Sequence, residues 1–133
     1  MLGAMTEQAT GHRNVYTPGQ VVDETGFSLD TLRYYERIGL LAPVGRNAAG
    51  QRRFTDDDIG WLAMVRCLRD TGMSISQMLR FAELTRAGDH TVPDRIAILE
   101  AHDRRVEQEI AGLREKQAAI QHKIDYYRSV VVG

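Results

Sequence analysis

Between Ile96 and Tyr127 the positions Ile96, Leu99, Val106, Ile110, Leu113, Ile120, Ile124 and Tyr127, with Asp103 and Gln117 filling two gaps, advance by alternating steps of 3 and 4. That spacing is the heptad seam of a coiled coil. A helix of about 35 residues runs about 50 Å, too long for a small neighbouring head to cover its apolar stripe. The segment is therefore expected to dimerise with its own copy through Ile96, Leu99, Val106, Ile110, Leu113, Ile120 and Ile124. The polar residues Asp103 and Gln117 would help select the register, at some cost in stability.

The 133-residue chain leaves room before that helix for one small head. Thr17-Pro18-Gly19-Gln20 combines a cap, a proline at the first helical position and a capping-box partner, so a helix should start there and stop at Gly26. Ser28 caps a second helix, which carries Leu32 and Tyr35 inward and ends at Gly39. Helix, glycine turn and helix over some two dozen residues make a helix-turn-helix. Pro43, Gly45, Asn47 and Gly50 then break the helical period, and the flanking Leu40-Leu41 and Phe54 predict a small β-hairpin wing. Thr55 with Asp56, Asp57 and Asp58 opens a third helix whose apolar side is Ile59, Leu62, Ala63, Val65 and Leu68. Ser74-Ile75-Ser76-Gln77 opens a fourth, with Met78, Leu79, Phe81, Ala82 and Leu84. The expected fold is mainly α: a winged helix-turn-helix head over 15–88 with four helices and a hairpin wing, then a long coiled-coil helix over 89–133. Residues 1–14, polar and without period, read as a loose tail.

A formal charge of -1 hides opposite local balances: Arg13 to Thr55 holds six arginines against four acids, and Asp56 to Thr91 four bases against six acids. Local charge decides phosphate attraction. The single cysteine, Cys67, excludes an internal disulfide and a cysteine-cluster metal site in one subunit. No apolar run approaches the roughly 20 residues of a membrane span, and the N-terminus lacks a signal-peptide pattern, so a cytoplasmic protein is expected. No nucleophile–base pair, metal set or phosphate loop marks an enzyme, and no cofactor is expected.

On the second helix, Arg33 offers a planar fork to guanine or phosphate, and the hydroxyls of Tyr34 and Tyr35 could donate to phosphate. Consecutive helical residues cannot share one face, so Tyr35 can instead fill the core. Arg46, Arg52 and Arg53 follow on a loop free of acids, with Gly45 and Gly50 permitting close backbone approach. Two adjacent elements can thus meet a duplex together. His12, His90, His102 and His122 are dispersed and read as surface residues. Cys67 is either a small buried hydrophobe or a reagent; Arg66 and Arg69 could favour a thiolate, but neither stands at i±3 or i±4.

With RYYERIGLL, the following Gly50-Gln51-Arg52 and the Asp56-Asp57-Asp58 helix start, the chain resembles MerR-type bacterial transcription regulators from Tyr16 to Tyr127. The resemblance implies recognition-helix contacts at Arg33 and Tyr35 beside Tyr34, and wing phosphate contacts at Arg46 and Arg52; Gln51 stands where the family commonly has Tyr. It implies an antiparallel dimerisation helix, a near-palindromic double-stranded promoter site whose two polymerase elements lie too far apart, and distortion that realigns them for RNA polymerase. MVRCLRDTGMS followed by ELTRAGDHTVPDRIAIL looks most like the aldehyde- and thiol-stress regulators of the AdhR and NmlR group, which implies electrophile sensing at Cys67. Two other readings remain: the same regulator with a non-thiol effector pocket or with its signal supplied by another protein, and a coiled-coil adaptor whose head binds protein.

Overall fold

The computed structural model describes residues 15–132, so the tail reading for 1–14 lies outside the described residues. The described elements run β1 (Val15–Tyr16), α1 (Pro18–Thr25), α2 (Leu29–Ile38), β2 (Gly45–Arg46), β3 (Arg52–Thr55), α3 (Asp56–Asp70), α4 (Ile75–Ala87), a 3-10 turn (Asp89–Thr91) and α5 (Val92–Val132). The chain divides into two compact units, one ending at Val92 and the other starting at Pro93.

In the first unit the caps act where the sequence places them. Thr17 Oγ1 accepts from Gln20 N at 3.2 Å while Gln20 Oε1 accepts from Thr17 N at 2.8 Å, closing a capping box on α1. Ser28 caps α2 through Thr31 N at 3.1 Å, and Gly39, at φ 88°, ends it in the left-handed region. Thr55 and Asp58 form the box on α3, which ends one residue before Thr71 rather than at Gly72. Ser74 caps α4 through Gln77 N at 3.2 Å.

The wing is larger than a hairpin. β3 is the central strand of an antiparallel sheet in the order β1-β3-β2, pairing Tyr16 with Phe54 on one side and Arg46 with Arg52 on the other. Two residues show no readable alternation, so β1 left no period in the sequence.

Val21, Phe27, Leu32, Tyr35, Leu40, Leu41, Phe54, Leu62, Val65 and Phe81 are among the buried residues that join α1–α4 and the sheet. Trp61 stacks on Phe81 at 5.7 Å and donates its indole N–H to Leu40 O at 2.7 Å, pinning the segment after α2 to α3 and α4. Of the apolar side read for α3, Ile59 is half-buried and Ala63 exposed, because burial follows the narrower Leu62–Val65–Leu68 line; on α4, Leu79 is half-buried.

The second unit is formed by α5 from Pro93 onward; the whole helix has 41 residues and so is about 60 Å long. Along its seam Ile96, Ile110, Leu113, Ile120, Ile124 and Tyr127 are exposed, Leu113 by 66% and Ile120 by 61%, while Leu99 and Val106 are half-buried. His102 departs from the surface reading: it is buried, with Nδ1 3.5 Å from Arg105 Nη2. His90 and His122 are exposed, and His12 lies outside the described residues.

Candidate nucleic-acid interface

α2 and the wing meet at an open basin of about 650 Å³ lined by Thr17, Pro18, Arg33, Arg46, Gln51, Arg52 and Arg53. Four of the six residues that the sequence suggests as DNA contacts therefore share one concavity. Arg33 is exposed and pairs only loosely with Asp30 at 3.6 Å, leaving its fork available. Tyr34 is exposed by 40%, with the Arg37 guanidinium 5.3 Å from its ring centroid.

Tyr35 stands elsewhere. It is 3% exposed and packs edge-on against Phe27 at 5.4 Å. Its hydroxyl is the main reason Arg69 is held above the ordinary guanidinium range; burial opposes it and Asp70 adds to it. Arg69 and Arg66 lie 5.0 Å and 5.5 Å from the Phe27 ring centroid. Arg66 also donates to Thr25 O at 2.6 Å and to Asp70 Oδ2 at 2.9 Å. The hydrogen bond from Arg66, followed by the charges of both arginines, lowers the Asp70 carboxyl below its usual range. This cluster fixes the α1–α2 turn against α3. The i,i+4 pair Arg66–Asp70 is visible in the sequence, but the reach of Arg66 to Thr25, 41 positions away, has no local signature.

The wing tip is closed by its own polar groups. Asn47 Oδ1 accepts from Ala49 N at 3.0 Å and Gln51 N at 2.9 Å, and Gly50 supplies a φ of 81°. Arg46 donates to Gly50 O at 2.8 Å, and Gln51 Oε1 accepts from Arg53 at 3.0 Å and Asn47 Nδ2 at 3.1 Å. Gln51, the departure from the familiar tyrosine, thus organises the tip. Arg52 differs from its neighbours: its Nη2 lies 3.0 Å from Glu36 Oε1, on α2. Glu36 leaves no local signature in the sequence, because its partners are 8 and 16 residues away.

Cys67 is exposed on α3, which removes the buried-hydrophobe reading. Its apolar neighbours Val65 and Leu68 take the inward line instead. A separate cleft of about 210 Å³ lies among Leu41, Ala42, Asp57, Asp58, Trp61, Ala82, Thr85 and Arg86. Among the described residues no group of three or more His, Cys, Asp or Glu could hold a metal ion, and no helix is long and apolar enough to cross a membrane.

The family profile described as MerR HTH family regulatory protein matches residues 16–82, and a second, described as MerR, DNA binding, matches 59–123. An uncharacterized HTH-type transcriptional regulator of Haemophilus influenzae is 40% identical over 113 residues, covering 85% of this chain and 84% of that relative. The regulator AdhR of Bacillus subtilis is 41% identical over 80 residues, 60% of this chain but only 57% of AdhR. Among solved structures, HiNmlR, a MerR family regulator lacking the sensor domain and bound to promoter DNA, superposes with a TM-score of 0.78 at 39% identity, covering 87% of this chain and 92% of HiNmlR. A regulator from Listeria monocytogenes gives 0.79 at 34% identity, covering 84% and 85%.

Proposed function

This chain belongs to the MerR family of DNA-binding transcription regulators, and from that premise we propose that it acts as a homodimer on a dyad promoter site and responds to an electrophile at Cys67. The observation that carries the reading is the basin in which Arg33 of α2 and Arg46, Arg52 and Arg53 of the wing converge. Arg33 and Tyr34 would meet the groove and its edge, with Arg46 and Arg53, which hold only neutral oxygens, supplying potential for the flanking phosphates. Tyr35, buried beneath them, would orient α2. The seam of α5, exposed at Ile96, Ile110, Leu113, Ile120 and Ile124 and half-buried at Leu99 and Val106, supports pairing through these residues, and two reading heads match a dyad. Distortion of the bound promoter, realigning it for RNA polymerase, follows the family's mode of action.

The exposure of Cys67 supports the sensing role. In the simplest chemistry its sulfur bonds to an aldehyde carbon, the carbonyl π pair moves to oxygen, and the thiol proton ends there, giving a hemithioacetal. One observation favours a second reading: the apolar cleft beside Trp61 could hold a small non-thiol effector.

The deciding measurement is operator binding by Arg33→Ala. Loss of specific binding with non-specific affinity reduced only modestly is expected, and normal operator affinity would sink the interface assignment. Promoter induction by formaldehyde or methylglyoxal should vanish in Cys67→Ser. Unchanged induction would reject thiol sensing and direct attention to the cleft.

A further inference from the structure

Glu36 is an acid on the recognition helix, between Arg33 and Arg37, and both its carboxylate oxygens are committed to the wing. Oε2 accepts from the Val44 backbone N–H at 2.9 Å, and Oε1 lies 3.0 Å from Arg52 Nη2. Val44 leads into β2 and Arg52 opens β3, so one side chain ties both strands of the wing to α2. The pair is largely sheltered, with 20% of the Glu36 side chain and 25% of the Arg52 side chain exposed. Arg46 and Arg53 instead hold neutral oxygens, those of Gly50, of Arg52's own backbone and of Gln51.

We propose that Glu36 is a positioning and specificity residue, which sets the wing against the recognition helix and, by neutralising Arg52, withholds that arginine from phosphate. This rests on the basin being the DNA-binding surface. A phosphate that approached Arg52 would come close to the Glu36 carboxylate, and in this sheltered place the repulsion is screened less than at an open surface. The penalty falls on every duplex alike. The ordered wing, however, benefits only a site that α2 and the wing engage together, so the ratio of specific to non-specific affinity rises. Arg52 is on this account a strut rather than the phosphate ligand that the family resemblance implies.

The test is salt-titrated binding of the full chain to a random-sequence duplex and to a duplex selected from a randomised pool. Each phosphate contact adds about 0.9 to the slope of log affinity against log salt. Glu36→Gln keeps an acceptor for Val44 N–H but loses the charge. It should steepen the random-duplex slope by about 0.9, raise non-specific affinity several-fold and lower discrimination. Arg52→Gln should leave the slope nearly unchanged, and adding Glu36→Gln to it should produce no further steepening.

A drop of about 0.9 in Arg52→Gln would overturn the proposal by making Arg52 a phosphate ligand. An unchanged slope in Glu36→Gln would also overturn it, as would steepening that persists without Arg52. Should Glu36→Gln fail to fold, the Arg52→Gln slope decides alone. Arg46→Gln serves as the control for the basin: if it leaves the slope untouched, the underlying interface reading fails, independently of what Glu36 does.

Discussion

At the residue scale, charge in the head serves geometry as much as attraction. Asp70 is held between Arg66 and Arg69, and its lowered pKa has a direct thermodynamic consequence. A carboxyl whose folded-state pKa is depressed contributes stability above its unfolded value of about 3.9, and that contribution is lost as pH falls through the folded value. Wild type should therefore unfold at a higher temperature than Asp70→Asn at pH 7, and the gap should shrink as pH falls below about 4 and vanish once pH is below the folded value. A gap that persisted into that acid range would mean Asp70 acts by packing or neutral hydrogen bonding. Gly26 next to this cluster is a stricter site: its φ is 76°, and a β-carbon there would collide with Arg66 Nη1. Gly26→Ala should cost about 1–2 kcal/mol from backbone strain alone, more if Arg66 has to leave Thr25 O, as read by chemical denaturation.

The elements divide by how locally their signals are written. Helices α1 to α4 were legible because a cap stands at each start and a glycine shortly after each end. Thr55 is the best of these cases, since its side chain and that of Asp58 satisfy each other's backbone donors across the β3–α3 junction. Thr55→Ala should accordingly cost about 1 kcal/mol in equilibrium unfolding, and a negligible change would show that β3 pairing alone sets that junction. The four arginines of the basin were legible as candidates because they lie on three consecutive elements, α2, β2 and β3. β1 was not legible, being two residues whose pairing partner is about 40 positions away. Glu36 and Arg66 were hidden in the same way: a salt bridge or a carbonyl contact between distant positions leaves no period, cap or turn residue behind. Tyr35 was readable as facing inward, whereas its partner Arg69 required three dimensions.

At the scale of the whole molecule, the seam of α5 discriminates between ways of pairing. A parallel pair would set Asp103 against Asp103 of the partner subunit, two like charges in the interface. An antiparallel pair with its dyad between Ala111 and Gly112 instead places Ile96 opposite Tyr127, Leu99 opposite Ile124, Asp103 opposite Ile120, Val106 opposite Gln117 and Ile110 opposite Leu113. Every seam position then has a seam partner, and Glu107 and Glu109 approach Arg114 and Lys116 across the flanks. In a Cys67→Ser background, mixed Ile96→Cys and Tyr127→Cys chains should cross-link to each other. Cross-linking of Ile96→Cys to itself would reverse the orientation, and a monomer in sedimentation would remove the dimer altogether.

The strand order of the wing bears on the molecule's behaviour in a crowded solution. β3, the longest of the three strands at four residues, is flanked on both sides, and each outer strand is two residues long. An incoming chain would find too few free backbone groups on either rim to build a ladder. Among the described residues, the β-structure of the head is therefore a poor template for strand addition, which works against edge-to-edge pairing between copies.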